Sequence, residues 1–150
     1  MPLQILLAAD HAGFFLKEHL IVRLQEEGYR TVDKGCYSDR PVDYPDYAAA
    51  VAEVVSNDPE VLGILIFGTG IGMSIAANKV PNVRAALCHD PYGARLAREH
   101  NKSNILCLGA NSIGTGLAEA IVSTWLHSSF SNAERHIRRF NQVAAMESRQ

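Results

Sequence analysis

Val61–Phe67, VLGILIF, runs without a break into Gly68-Thr69-Gly70-Ile71-Gly72, a buried strand emptying into a glycine-rich turn. Seven apolar residues in succession lack the alternation of a strand with one wet face, so both faces must be covered, as in a parallel sheet. A turn this rich in glycine lets backbone amides approach an anion closely. A helix is expected next, over Ser74–Lys79.

The same alternation of short apolar runs and helical period extends in both directions. Leu3–Ala9 reads as a strand ending at Asp10-His11-Ala12-Gly13. Phe15, Leu16, His19, Leu20, Val22 and Leu24 then mark a helix that Gly28 stops. A weaker strand, Tyr29–Val32, leads into a polar loop with Pro41, Asp43 and Pro45, and Tyr47–Val55 is helical in spacing. Downstream, Val83–Cys88 and Asn104–Leu108 read as strands, with a helix over Pro91–Glu99 between them. Ile113–Leu126 and Ala133–Met146 are the closing helices. Five strands separated by helices define an α/β fold: a Rossmann-like three-layer sandwich with a five-stranded parallel sheet and right-handed crossovers. No repeat, low-complexity tract or long linker divides residues 1–150, so one domain is expected.

Bulk properties narrow the function. A chain of 150 residues, 47% hydrophobic and 20% charged, can bury a core without disulfides or metal. Its formal charge of -2 and pI near 6.3 give no reason to expect nucleic acid or an anionic membrane surface. Cys36, Cys88 and Cys107 are odd in number and lack CxxC spacing, which suits reduced thiols in the cytoplasm. The opening MPLQILLAADHAG lacks a basic n-region, so no signal peptide is expected, and no apolar run reaches membrane length. Six histidines occur without HExxH or CxxC, so no metal site is expected.

In open parallel sheets, ligands bind beyond the carboxyl ends of the strands. Asp10-His11, the glycine loop, His89-Asp90 and Gly109-Ala110-Asn111 all fall there. Each has a structural reading too: Asp10 as a helix cap, the glycines as a tight turn, His100 as the partner of a helix dipole. The loop is GxGxG rather than GxGxxG and follows the third strand, so a dinucleotide site, with Asp90 as its acid, is a weak alternative. Arg135 and Arg139 share a helix face at i, i+4 spacing, as a phosphate clamp requires, with His136 beside them. A solvated basic face fits the same spacing.

Taken in order, DHAG, VDYPDYA, FGTGIGMSIAANKVP, VRAALCHDPY, REHNKSNILCLG and ERHIRR resemble the type B ribose-5-phosphate isomerases over about residues 4–147. Galactose-6-phosphate isomerase subunits share that superfamily. The resemblance implies an aldose–ketose isomerase of carbohydrate metabolism, in the pentose phosphate pathway, acting through an enediolate without metal or organic cofactor. It implies a homodimer or dimer of dimers with sites between subunits, the last helix (about 133–148) contacting a neighbour. By this resemblance Asp10 and His11 contact the substrate at the first strand's end, and Tyr44 lines the site. Gly68, Thr69, Gly70, Gly72 and Ser74 face the enediolate oxygens. His100 assists ring opening, Asn101 holds hydroxyls, and Arg135, His136 and Arg139 grip phosphate.

The chain departs from the family pattern in three places. Phe67 stands where a cysteine base ends the third strand, Met73 where some members place a glutamate, and Asn111 where an arginine often follows the fifth strand. Neither Phe nor Met accepts a proton. Three readings stay open: an isomerase with another base, Asp10 or Asp43; a sugar-phosphate-binding homologue with little turnover; or an active-site variant of an ordinary enzyme. Hexose phosphates such as allose 6-phosphate or galactose 6-phosphate are alternative substrates.

Overall fold

The computed structural model describes residues 4–149, so Leu3 of the expected first strand lies outside the described residues. Its elements are β1 (Gln4–Ala9), α1 (Phe14–Glu26), β2 (Arg30–Asp33), α2 (Tyr44–Asn57), β3 (Val61–Phe67), α3 (Ile71–Ala77), β4 (Ala85–Leu87), α4 (Pro91–Glu99), β5 (Ile105–Gly109), α5 (Thr115–His127) and α6 (Glu134–Met146). The strands form one sheet in the order β2-β1-β3-β5-β4, and every neighbouring pair is parallel.

Two apolar cores follow from the period of two along each strand. Ile5, Leu7, Leu62, Ile64, Ile66, Leu106 and Leu108 meet α1, α4 and α5, with Trp125 at the centre. Leu6, Ala8, Leu65, Ile105 and Cys107 turn to the other face, against Val51 and Val55 of α2 and Met73 of α3. Gly63 is what allows α2 to lie so close: a Cβ there would stand 2.6 Å from Val51 Cγ1. The α6 helix belongs to neither layer. Among its residues with described side chains only His136 is buried, while Ile137, Val143 and Met146 are exposed. It is tied to the body by cation–π contacts, with Arg84 5.0 Å and Lys102 5.2 Å from the Phe140 ring.

The expected β3 and α4 coincide with the observed ones, and elsewhere the ends move for identifiable reasons. The α2 helix begins at Tyr44 rather than Tyr47, because Pro45 occupies its first turn, where the missing N–H costs nothing. The α3 helix starts at Ile71, directly after Gly70 at φ +79°. Only three residues of the expected Val83–Cys88 strand pair in the sheet. The Arg84 amide instead donates to the Asn104 side chain (2.7 Å). On the open edge of β4 the Asn78 amide group imitates a neighbouring strand, accepting from the Ala85 N–H (2.8 Å) and donating to its carbonyl (3.0 Å). No helix among the described residues is long and apolar enough to cross a membrane.

Helical spacing gave no warning of Lys17, which is fully buried on α1. Its ammonium donates to both oxygens of Asp33 (2.8 and 2.7 Å) and to Glu18 (2.9 Å). Burial pulls the lysine pKa down, but these two carboxylates more than offset it, and the net shift is upward. Asp33 also accepts from the Gly35 amide (2.8 Å), so the pair fixes the loop leaving β2. Removing one partner of a buried pair strands the other's charge. Asp33→Ala is therefore expected to lower stability by about 3 kcal/mol, read as a reduced urea midpoint with unchanged slope. An unchanged midpoint would mean the pair is not structural.

Candidate functional site

The predicted residues collect at two opposite ends of the sheet. The first group lies beyond the carboxyl ends of β1 and β3. Asp10 is buried, and its Oδ1 accepts from the amides of Ala12 (3.0 Å) and Gly13 (3.2 Å), which turns the chain into α1. Gly13 has no room for a side chain, because a Cβ would meet the Ile66 carbonyl oxygen at 2.5 Å. His11 is half-exposed and its Nδ1 accepts the Val42 N–H (3.2 Å). That bond leaves the proton of a neutral ring on Nε2, facing away from the backbone. It also ties the loop carrying Asp43 and Tyr44 to the end of β1.

Tyr44 covers the glycine loop. Its ring lies 4.6 Å from that of Phe67, tilted by 34°, and Gly72 provides the space, since a Cβ there would stand 2.6 Å from the tyrosine ring. The loop itself is stapled to the segment after β5: the carbonyls of Phe67 and Gly68 accept from the amides of Ala110 (2.8 Å) and Asn111 (2.9 Å). Thr69 is exposed and its Oγ1 accepts the Ile71 N–H (3.2 Å), while the Ser74 hydroxyl donates to the Ile71 carbonyl (2.8 Å). The first intrahelical bond runs from Ser74 N–H to Gly70. The amides of Gly72 and Met73 are therefore left without an intrahelical acceptor. Asp90 caps α4 through the Gly93 amide (2.7 Å), which accounts for it without a nucleotide.

The second group lies at the other end. The nine residues of α4 run back from the carboxyl end of β4 to the start of β5, a travel of ~14 Å. They deliver His100 and Asn101 to the amino ends of the strands. There the His100 ring stacks on His136 at 4.1 Å. His136 is only 4% exposed, and its Nδ1 pairs with the Ser131 hydroxyl (2.6 Å). Burial lowers its pKa, and His100, Arg135 and Arg139 lower it further. Arg135 and Arg139 are exposed one turn apart on α6. Arg139 and Asn101 line a groove of about 570 Å³ with Arg84, Phe140 and Val143.

A clamp that sequence reasoning did not identify holds the His100-Asn101 turn. Arg98 Nη1 donates to the Ser103 carbonyl (2.5 Å), its guanidinium lies 5.2 Å from the Trp125 ring, and Trp125 Nε1 donates to Ser103 Oγ (2.8 Å). Asn104 adds a bond to the Asn82 carbonyl (2.8 Å). Arg98 and Trp125 look like a surface cation and a core aromatic in sequence, and only the return path of α4 makes them neighbours. Among the described residues no three His, Cys, Asp and Glu side chains gather as a metal site.

Residues 5–143 match the Ribose/Galactose Isomerase family, and the chain belongs to that family. It is 42% identical over 146 residues to ribose-5-phosphate isomerase B of Escherichia coli, with 97% of each chain covered. The fold is similar to that of Clostridium thermocellum ribose-5-phosphate isomerase B, at a TM-score of 0.94 and 44% identity over 97% of this chain and 98% of that one. It is equally similar to the Mycoplasma genitalium enzyme solved with bound ribulose-5-phosphate, at a TM-score of 0.94 and 38% identity over 98% and 97% of the two chains.

None of the three cysteines takes the place that Phe67 occupies. All are buried, and burial raises each thiol pKa, that of Cys88 to about 11. Thiolate is the reactive form. Native protein at pH 8 is expected to resist iodoacetamide at all three positions and to take up three adducts once unfolded, as counted by intact mass. Rapid native alkylation of any one would contradict the burial described.

Proposed function

We propose that the protein is an aldose–ketose isomerase interconverting ribose 5-phosphate and ribulose 5-phosphate, with each site assembled from two copies of the chain. One observation carries the second half of this reading: the two groups of site residues lie at opposite ends of one sheet. A sugar phosphate is too short to reach across a domain. A second copy that brings its His100, Asn101, Arg135, His136 and Arg139 to the first copy's glycine loop completes the site. The exposed apolar residues of α6, Ile137, Val143 and Met146, suit such an interface. The cytoplasm is the compartment in which its thiols stay reduced.

In this reading Arg135, His136 and Arg139 hold the phosphate through charge-assisted hydrogen bonds. His100 moves the proton that opens the furanose ring while Asn101 holds hydroxyls, and His11 and Tyr44 line the sugar. The open chain then presents its carbonyl to the loop amides, with Gly68, Gly70, Gly72, Thr69 and Ser74 around the oxygen that becomes negative. A donor aimed at such an oxyanion contributes about 3 kcal/mol. The base takes the C2 proton, the electrons move into the C1–C2 enediolate, a proton passes from O2 to O1, and the protonated base returns its proton to C1. Asp10 and Asp43 are the carboxylates near the loop. Asp10 already accepts two amides and is buried, whereas Asp43 is exposed and makes no side-chain cap at the start of α2. Asp43 is therefore the freer base.

A second reading, a sugar-phosphate-binding homologue with little turnover, is favoured by the Phe67–Tyr44 stack, which puts apolar surface where a cysteine would act. Exchange of the C2 hydrogen of ribose 5-phosphate with deuterated water, followed by NMR, separates the two. Exchange by the wild type that falls at least ~100-fold in Asp43→Asn supports the replacement base. No wild-type exchange, with gain in Phe67→Cys, selects the binding homologue.

The shared site has its own test. Gly70→Val and His100→Ala are each expected to lack activity. Co-refolded in equal amounts they should recover about a quarter of wild-type turnover, since half the dimers then hold one intact site. No recovery, with dimers formed, would place each site within one chain.

A further inference from the structure

The turn from α5 into α6 contains one feature that the isomerase reading does not use. Ser131 Oγ lies 2.6 Å from His136 Nδ1 and 3.3 Å from the Ala133 N–H. An amide can only donate, so Ser131 Oγ is the acceptor in the second bond and its own hydrogen is free for the first. The Ser131 backbone is itself anchored, its N–H donating to the Glu99 carbonyl (3.0 Å) at the end of α4. That carbonyl immediately precedes His100. The serine thus sits at the junction of the two elements that carry the stacked histidines.

We propose that Ser131 is a positioning residue: its hydroxyl, oriented by the Ala133 amide, donates to His136 Nδ1 and fixes that ring as the Nε2–H tautomer, a neutral hydrogen-bond donor stacked against His100. Two further observations agree. The ring is buried, yet no side-chain nitrogen or oxygen is buried without a partner among the described residues. Nε2, which has no protein partner there, is therefore the edge that reaches the surface. The charged and titratable groups facing the ring are His100 from the end of α4 and Arg135 and Arg139 from α6, all bases. With no acid among them, the proton is disfavoured on His136.

The consequence for recognition rests on the isomerase reading: His136 offers the sugar phosphate a fixed N–H rather than a titrating charge. The tautomer does not rest on it. Imidazole nitrogen shifts of the whole protein, from long-range proton–nitrogen correlation at pH 7.5, should show His136 with Nδ1 bare and Nε2 protonated. Ser131→Ala should mix the tautomers and raise the ring's titration midpoint, and Ser131→Thr, which keeps the hydroxyl, should restore both. The spectra of His11 and His19, outside this turn, report whether the variants remain folded. With ribose 5-phosphate, Ser131→Ala should raise KM roughly three- to tenfold, the worth of one hydrogen bond, with kcat changed less. An Nδ1–H tautomer in the wild type, or an Nε2–H tautomer untouched by Ser131→Ala, overturns the proposal. A protein without turnover leaves those spectra as the deciding result.

Discussion

A parallel sheet obliges every connection to return from one end of the strands to the other, and the functional anatomy of this chain follows from that constraint. The tight turns that leave β1 and β3 put Asp10, His11 and the glycine loop at the carboxyl end. The helix that must then reach β5 carries His100 and Asn101 to the amino end, and α6 brings its arginines to meet them there. The residues proposed for one chemistry are thereby parted by the height of the sheet. No side-chain rearrangement within one chain closes such a gap. In the proposed two-chain site, association does, and the one-sided α6 is the element placed to mediate it.

The two ends are built differently. At the carboxyl end the backbone does most of the shaping: Gly13, Gly70 and Gly72 each occupy a position where a Cβ would strike a neighbour. The amides that remain there can serve an oxyanion without any titrating group. At the amino end side chains take over, with Arg98, Trp125 and Ser103 bracing the turn that holds His100, and Arg84 and Lys102 gripping Phe140 of α6. Phe67 fits within this frame without disturbing it, because Tyr44 packs on its ring. The end of β3 is thus an apolar contact, beside loop amides that keep no intrahelical acceptor.

Much of this was legible in the sequence because it depends on local pattern. VLGILIF has the continuous apolarity of a doubly covered strand, and Pro91 with Asp90 before it marks the start of α4. Element ends that depend on partners distant in sequence were harder to read. The short β4 reflects Asn104 taking the Arg84 amide and Asn78 closing the edge, neither of which a propensity anticipates. Lys17 looks like a solvent-facing helix residue until the loop after β2 supplies Asp33. The candidate site residues come from their motifs. Their division between two ends of the sheet follows from strand polarity, and it emerges only when each motif is placed on its element.

The most direct test of this division is a crystal structure of the protein with ribose 5-phosphate bound. The account predicts the phosphate on Arg135 and Arg139 of one chain and the C1–C2 end of the sugar against Gly68–Gly72 of its partner, beside Tyr44 and Phe67. A sugar held wholly by one chain, or a phosphate seated on the glycine loop, would contradict it.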